Sequence, residues 1–300
     1  MESSGFLREA TLINIDDWVL SGGGGNGLSY NHKKDDTIIL KMNKASLPKE
    51  HTEREFLRSQ AFYEMGVNCP KVIDFVTDGH RYGLIEEKVN GKKSFARIIS
   101  EAPDQLEPLA KAFAQRARLL HQIRCDNGLF PSYRENYLKK LAQSKVLSAK
   151  EKQILRDALD SMDDAVYCIH GDLTPGNIIR AGGKDYWIDL GDVMYGDPDI
   201  DFGNMMFICD HVPVKLIDYL YHISLEQFRE FVGIYAREYF GDRWGTKELD
   251  EKLHKVLLLK AGSAVLKRPR SGILYRPLIR GDIRKYKVLA SIMNRLIIKI

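Results

Sequence analysis

Two aspartates and an asparagine gather near the middle of the chain, in Ile169-His170-Gly171-Asp172-Leu173-Thr174-Pro175-Gly176-Asn177 and, shortly after, Trp187-Ile188-Asp189-Leu190-Gly191. Their chemistry suits phosphoryl transfer, which asks little covalent help of a protein and instead needs an in-line hydroxyl and cations spread over phosphate oxygens. Asp172 can accept the hydroxyl proton, while Asn177 and Asp189 offer hard oxygen ligands of the kind magnesium takes in small number. Either aspartate alone, beside glycine, could be ordinary turn chemistry. The order of all three on a strand, a loop and a second strand is not explained by turn capping.

The elements that must position these residues follow from periodicity. Strands are expected at 19–21, 28–30 and 37–42, then a helix over 50–65 with apolar residues at Phe56, Leu57, Ala61, Phe62 and Met65, then strands at 72–77 and 82–88. Beyond Gly91 helical spacing takes over at 95–99, 106–123, 137–145 and 150–162, with short strands at 166–169, 177–180 and 186–190. From 201 onward the chain reads as helices broken at Gly241, Gly262 and Pro269. An α+β fold with two lobes is expected: residues 1–89 as a small antiparallel-sheet N-lobe with one helix, and 90–300 as a larger, mainly helical C-lobe.

His170-Gly171-Asp172 with Asn177, and Ile188-Asp189-Leu190-Gly191, resemble the catalytic loop and metal-binding segment of the aminoglycoside phosphotransferase and choline kinase superfamily. The resemblance implies a protein-kinase-like fold, ATP and Mg2+ as cofactors, Asp172 as catalytic base, and Asn177 and Asp189 as magnesium ligands. The segment 196–203 resembles the stretch ahead of the family's next helix, where Asp201 is read as an N-cap that also braces the catalytic loop. His121 is read as packing and His170 as a loop brace, since one base suffices.

The first lobe should hold the nucleotide. Gly23, Gly24, Gly25, Asn26 and Gly27 join two strands, and glycines let backbone N–H groups approach phosphate. Lys41 ends a strand soon afterwards, placed to meet the α- and β-phosphates. Glu55 on the following helix is its expected partner. Residues 84–91 resemble the linker between lobes, so Glu87 and Val89 would give main-chain contacts to adenine. Glu86 stands where the family usually carries an apolar residue.

Composition narrows the alternatives. The 300 residues are 44% hydrophobic and carry a net charge of +4, enough for a folded core. No basic start precedes an unbroken apolar stretch, none of about 18 apolar residues occurs, and Cys69, Cys125, Cys168 and Cys209 lack zinc-like spacing. A cytoplasmic protein with reduced thiols, and without a membrane or obligate protein partner, is expected. Three rival readings meet objections in the sequence. A protein kinase needs a long activation segment, but only twelve positions separate Asp189 from Asp201. An inactive nucleotide-binding scaffold should have lost Lys41, Asp172, Asn177 or Asp189. Nucleic-acid binding by the basic region after 260 lacks interleaved aromatics, only Tyr275 and Tyr286 being present. That basic excess instead disfavours a cationic aminoglycoside and points to a neutral or anionic sugar, nucleoside or polyol.

Overall fold

The computed structural model describes residues 9–23, 27–267 and 273–287. Gly24, Gly25, Asn26, Pro269 and the basic residues Arg268, Arg270 and Arg295 lie outside them. The chain forms two compact units: residues up to Lys93 together with Ile178–Gly191, and Ser94–Asn177 together with residues from Asp192 on.

In the first unit, strands β1 (Thr11–Leu12), β2 (Trp18–Gly23), β3 (Gly27–His32), β4 (Ile38–Asn43), β5 (Val72–Thr77) and β6 (Tyr82–Glu87) make a six-stranded sheet ordered β1-β5-β6-β4-β3-β2. Only β1 and β5 run parallel. The strand period of two sorts β4 cleanly. Leu40 and Met42 pack with Trp18 and Val76 on one face. Lys41 points to the other, where its register partner Leu84 packs with Phe56, Val72 and Phe75. Phe56 belongs to helix α1 (Lys49–Glu64), so the same alternation that builds the core aims Lys41 at the helix-covered face. Gly27 is dictated by closeness: a Cβ there would strike the Met42 carbonyl across the β3–β4 pair. Leu57, expected on the apolar face of α1, is instead exposed.

After the two-residue strand β7 (Lys93–Ser94), the second unit contains α2 (Phe95–Glu101), α3 (Leu106–Leu120), α4 (Tyr133–Gln143), α5 (Ala149–Asp160) and strand β8 (Tyr167–Ile169). Strands β9 (Ile178–Ala181) and β10 (Lys184–Trp187) form a hairpin that belongs to the first unit. Asn68 explains this placement, because its side chain donates to the Asp185 carbonyl and its own carbonyl accepts from Trp187 N–H, both at 2.8 Å. The segment assigned by sequence to 90–300 is thus shared out by long-range hydrogen bonds that no local pattern encodes.

The second unit resumes with β11 (Met194–Gly196), which pairs with β8, and continues through α6 (Asp199–His211), α7 (Val214–Tyr221), α8 (Leu225–Phe240), α9 (Lys247–Lys267) and a helical turn α10 (Arg276–Ile279). Phe113 of α3 packs edge-on against Phe231 and Tyr235 of α8. A second core joins Tyr137, Leu155, Val256 and Leu259 from α4, α5 and α9. Gly241 ends α8, as expected. Gly262 does not break α9: the helix runs through it, and a Cβ there would meet the Tyr137 hydroxyl and Leu155. It is a packing glycine, chosen for close approach between helices. All four cysteines are free and buried. Among the described residues, no helix is long and apolar enough to cross a membrane.

Candidate active site

In the first unit, Lys41, Glu55, Glu86 and Asp189 line one small cavity. Lys41 Nζ lies 2.7 Å from Glu86 Oε2. The expected pairing with Glu55 is therefore replaced by one with Glu86, for a reason rooted in register. Lys41 faces Leu84 on β6, which puts Glu86 two residues along on the same face, within diagonal reach of a long side chain. Burial would weaken the Lys41 ammonium, but Glu86, Glu55 and Asp189 more than compensate and hold its pKa above the ordinary lysine value. Burial pushes the Glu55 carboxyl up, Lys41 opposes it, and Glu86 and Asp189 push it further. Three acids thus share one cation.

Asp189 adopts a left-handed backbone, φ 61°, uncommon for a residue with a side chain. Such strain persists where the surroundings fix it, and here the aspartate leads directly into the turn Leu190–Asp192. Arg58 on α1 holds that turn by donating to the Gly191 carbonyl at 2.9 Å. Gly23 and Gly27 end the β2–β3 hairpin. Glu87 closes β6 with its N–H already given to the Lys71 carbonyl at 2.8 Å, and Val89 follows beyond the strand.

The second unit assembles around Asp172. Asn177 Nδ2 donates to the Asp172 carbonyl at 2.8 Å and to its Oδ2 at 2.9 Å, which leaves Asn177 Oδ1 as the atom able to face a cation. Asn204 Nδ2 donates to Asp172 Oδ1 at 2.9 Å. Each carboxylate oxygen therefore has its own amide donor, fixing the group's orientation. Asn204 escaped the sequence reading; it lies one helical turn beyond Asp201 on α6, a spacing that gains meaning only once α6 is seen beneath the loop.

The loop itself is hung from Asp201. That carboxylate accepts from His170 N–H at 2.6 Å and Gly171 N–H at 2.8 Å, and it lies 3.1 Å from His121 Nε2. The bracing role expected of Asp201 matches this geometry, but it is not an N-cap, since it sits inside the first turn of α6. Burial would raise its pKa; His121, His170 and Lys260 reverse that and keep it below the usual carboxylate value. His121 is more than packing: at the end of α3 it bridges Asp201 and the Tyr239 hydroxyl, 2.6 Å from Nδ1. Gly171 has φ 84°, and a Cβ there would collide with the Asp192 carbonyl. The residue before Asp172 must be glycine in this loop.

Asp172 opens on a cavity of about 380 Å³ whose wall includes Tyr133, Tyr137, Phe207, Lys140, Lys260 and Lys267. This volume is in the range of small-molecule sites. Asp192, also in the wall, is 2.8 Å from Lys267. Burial would raise that carboxyl, yet Lys267 and its neighbours Lys140 and Lys260 bring it below its ordinary value.

The donors fit magnesium. Among the described residues no three His, Cys, Asp or Glu side chains are arranged as a metal cage. A cation that keeps water and phosphate oxygens needs few protein ligands, and the Asp189 carboxylate of the first unit and Asn177 Oδ1 of the second are each hard oxygen donors of the type it takes.

Comparison with known proteins accords with this chemistry. The sequence pattern of the "Phosphotransferase enzyme family" (APH) matches residues 20–249. No curated protein sequence matches. Among solved structures, aminoglycoside-3'-phosphotransferase of type VIII is similar at TM-score 0.56 and 20% identity, covering 81% of this chain and 92% of that one. A thermostable mutant of aminoglycoside phosphotransferase APH(4)-Ia in ternary complex with ADP and hygromycin B gives 0.59 and 13%, covering 92% and 91%. A choline/ethanolamine kinase family protein from Mesorhizobium loti gives 0.52 and 16%, covering 95% and 89%. These structures share the kinase-like fold of a sheet-built N-lobe and a helical C-lobe. With most of its length matched by the family pattern, the chain belongs to the APH phosphotransferase enzyme family.

Proposed function

We propose that this protein transfers the γ-phosphoryl group of ATP to a hydroxyl of a small neutral or anionic metabolite, such as a sugar, nucleoside or polyol. The observation that carries the reading is Asp172, its two oxygens oriented by Asn177 and Asn204, facing a small-molecule cavity. Asp172 takes the proton of the acceptor hydroxyl as the oxygen attacks the γ-phosphorus and the bond to ADP breaks. Asn204 and Asn177 keep the carboxylate aimed, and Asp201 holds the loop that bears it. Lys41, steadied by Glu86, meets the α- and β-phosphates. Gly23, Gly24, Gly25, Asn26 and Gly27 cover the phosphates, Glu55 supports the Lys41 cluster, and Glu87 and Val89 offer main-chain atoms to adenine. Asn177 and Asp189 would be the protein ligands of Mg2+, which when bound would supply charge neutralisation on the phosphate oxygens.

Two of the similar structures, both of aminoglycoside phosphotransferase APH(4)-Ia mutants, are ternary complexes with hygromycin B and either ADP or AMP-PNP. Support for ATP here comes from the family and from the Lys41 cluster. The wall around Asp172, with Lys140, Lys260 and Lys267, disfavours a polycationic antibiotic. The test is a metabolite pool incubated with labelled ATP and Mg2+. One class of hydroxyl compound should gain label, and Asp172→Ala should lower the rate by roughly 10²–10⁴-fold without lowering the melting temperature. Equal ATP turnover by the two proteins, with no labelled product, would sink the proposal.

A further inference from the structure

The walls of the Asp172 cavity carry a charge pattern that bears on what the acceptor is. Lys140, Lys260 and Lys267 contribute three ammonium groups, against the carboxylates of Asp172 and Asp192. Lys267 is already paired with Asp192 at 2.8 Å. Among the described residues, neither Lys260 nor Lys140 has a carboxylate within ion-pair distance. Lys260 is partly buried, and its nearest recorded acceptor is the Gly171 carbonyl, a long 3.5 Å away. Burial holds its ammonium below the usual lysine value even though Asp201 and Asp172 pull the other way. Lys140 is depressed too, by burial and by Lys267.

For Lys260, a partly desolvated ammonium without a carboxylate at ion-pair distance among the described residues is costly, and a lysine in that condition inside a cavity signals a missing counter-charge; the more exposed Lys140 adds a second positive charge to the same wall. The remaining walls are suited to a compact body, with Tyr133, Tyr137 and Phe207 offering apolar and aromatic surface. A cationic acceptor would meet the reverse arrangement, because among the described lining residues the acid besides Asp172 is Asp192, which Lys267 neutralises.

We infer that the phosphoryl acceptor is itself an anion, a hydroxyl compound bearing a phosphomonoester or carboxylate that seats on Lys260 and Lys140 while its free hydroxyl meets Asp172. This rests on the phosphotransferase reading of Asp172, and it narrows that reading from neutral or anionic compounds to anionic ones.

Binding and turnover test it separately. With ADP and Mg2+ saturating the nucleotide site, the full chain is titrated calorimetrically with glycerol, glycerate and glycerol 3-phosphate. The two anions should bind at least about tenfold more tightly than glycerol, and Lys260→Met and Lys140→Met should each remove about fivefold or more of that preference. The difference between glycerate and glycerol 3-phosphate reads which anion the site prefers. In turnover, labelled ATP is offered with panels of anionic, neutral and cationic hydroxyl compounds. Label should enter the anionic panel, Lys260→Met should raise KM about tenfold with a smaller change in kcat, and Lys260→Arg should recover part of the loss. Lys140 lies on an exposed position of α4, so its variant keeps the test meaningful should Lys260→Met fold poorly.

Transfer confined to neutral or cationic compounds, with KM unmoved in both lysine variants, overturns the inference and leaves the kinase reading standing. Lysine-dependent anion binding with no transfer to any panel and no Asp172-dependent ATP turnover does the reverse. Equal binding of glycerol and the two anions also overturns it.

Discussion

At the scale of single residues, the site depends on small groups held in demanding conformations. Asp172 is oriented by two amides, and the glycine before it occupies a left-handed conformation from which a side chain is excluded twice over, by backbone strain and by the Asp192 carbonyl. Gly171→Ala should therefore cost on the order of 2–4 kcal/mol in stability, strain and collision together, and should lower kcat by displacing Asp172. Denaturant melts and steady-state rates on the same preparation check it; an unchanged midpoint would mean the loop relaxes freely. Lys41 illustrates a limit of reading residues one at a time. Glu55 and Glu86 are both acids near a lysine in the sequence, and only the β4–β6 register makes Glu86 the ion-pair partner.

Among the secondary elements, the loop that bears Asp172 takes its position from side chains on two helices, α6 and α3. Asp201, in the first turn of α6, gathers the loop's N–H groups, and α3 contributes His121 to hold that carboxylate. A similar device fixes α5. Ser148 and Glu151 form a capping box at its start, and the same Glu151 carboxylate accepts from Arg276 at 2.7 Å and Arg280 at 2.7 Å, tying α5 to α10. Burial alone would raise the Glu151 pKa, but the bonds from Arg276, Ser148 and Arg280 bring it from 4.5 to about 2. Its folded pKa lies below the unfolded one, so its contribution is complete above pH 4.5 and is lost as pH falls from there toward 2. That contribution is on the order of 3 kcal/mol at most. Glu151→Gln should lower stability at neutral pH and flatten the loss of stability in that acid window, measured as melting temperature against pH. A variant whose acid limb keeps the wild-type slope would contradict this.

For the whole molecule, the notable feature is that the first unit is not contiguous in sequence. Its sheet and α1 come from residues up to Lys93, while the β9–β10 hairpin and Asp189 return to it from about a hundred residues later. Asn68 and Arg58 bind that returning segment through Asp185, Trp187 and Gly191. A fragment ending at residue 93 should consequently lose these hydrogen bonds to the hairpin and be less protected in hydrogen exchange around 58–72 than the same residues in the full chain. Equal protection would show that the hairpin adds nothing to that unit. The Lys41 cluster needs the hairpin too, since Asp189 is one of its three acids.

The sequence alone determined the broad architecture and singled out the residues proposed to carry the reaction. Asp172, Asn177 and Asp189 stand out as candidates because phosphoryl transfer restricts the side-chain types and their order, and the sheet-then-helix plan follows from periods of two and 3.6. Three matters waited for the tertiary structure. Lys41's partner depended on strand register; Gly262, a breaker by composition, became a packing contact because α9 lies against Tyr137 and Leu155; and the cavity beside Asp172 drew Lys140, Lys260 and Asn204 from helices far apart in the chain. Local pattern specifies which face of an element is apolar. Which distant polar groups meet there is decided only when the elements pack.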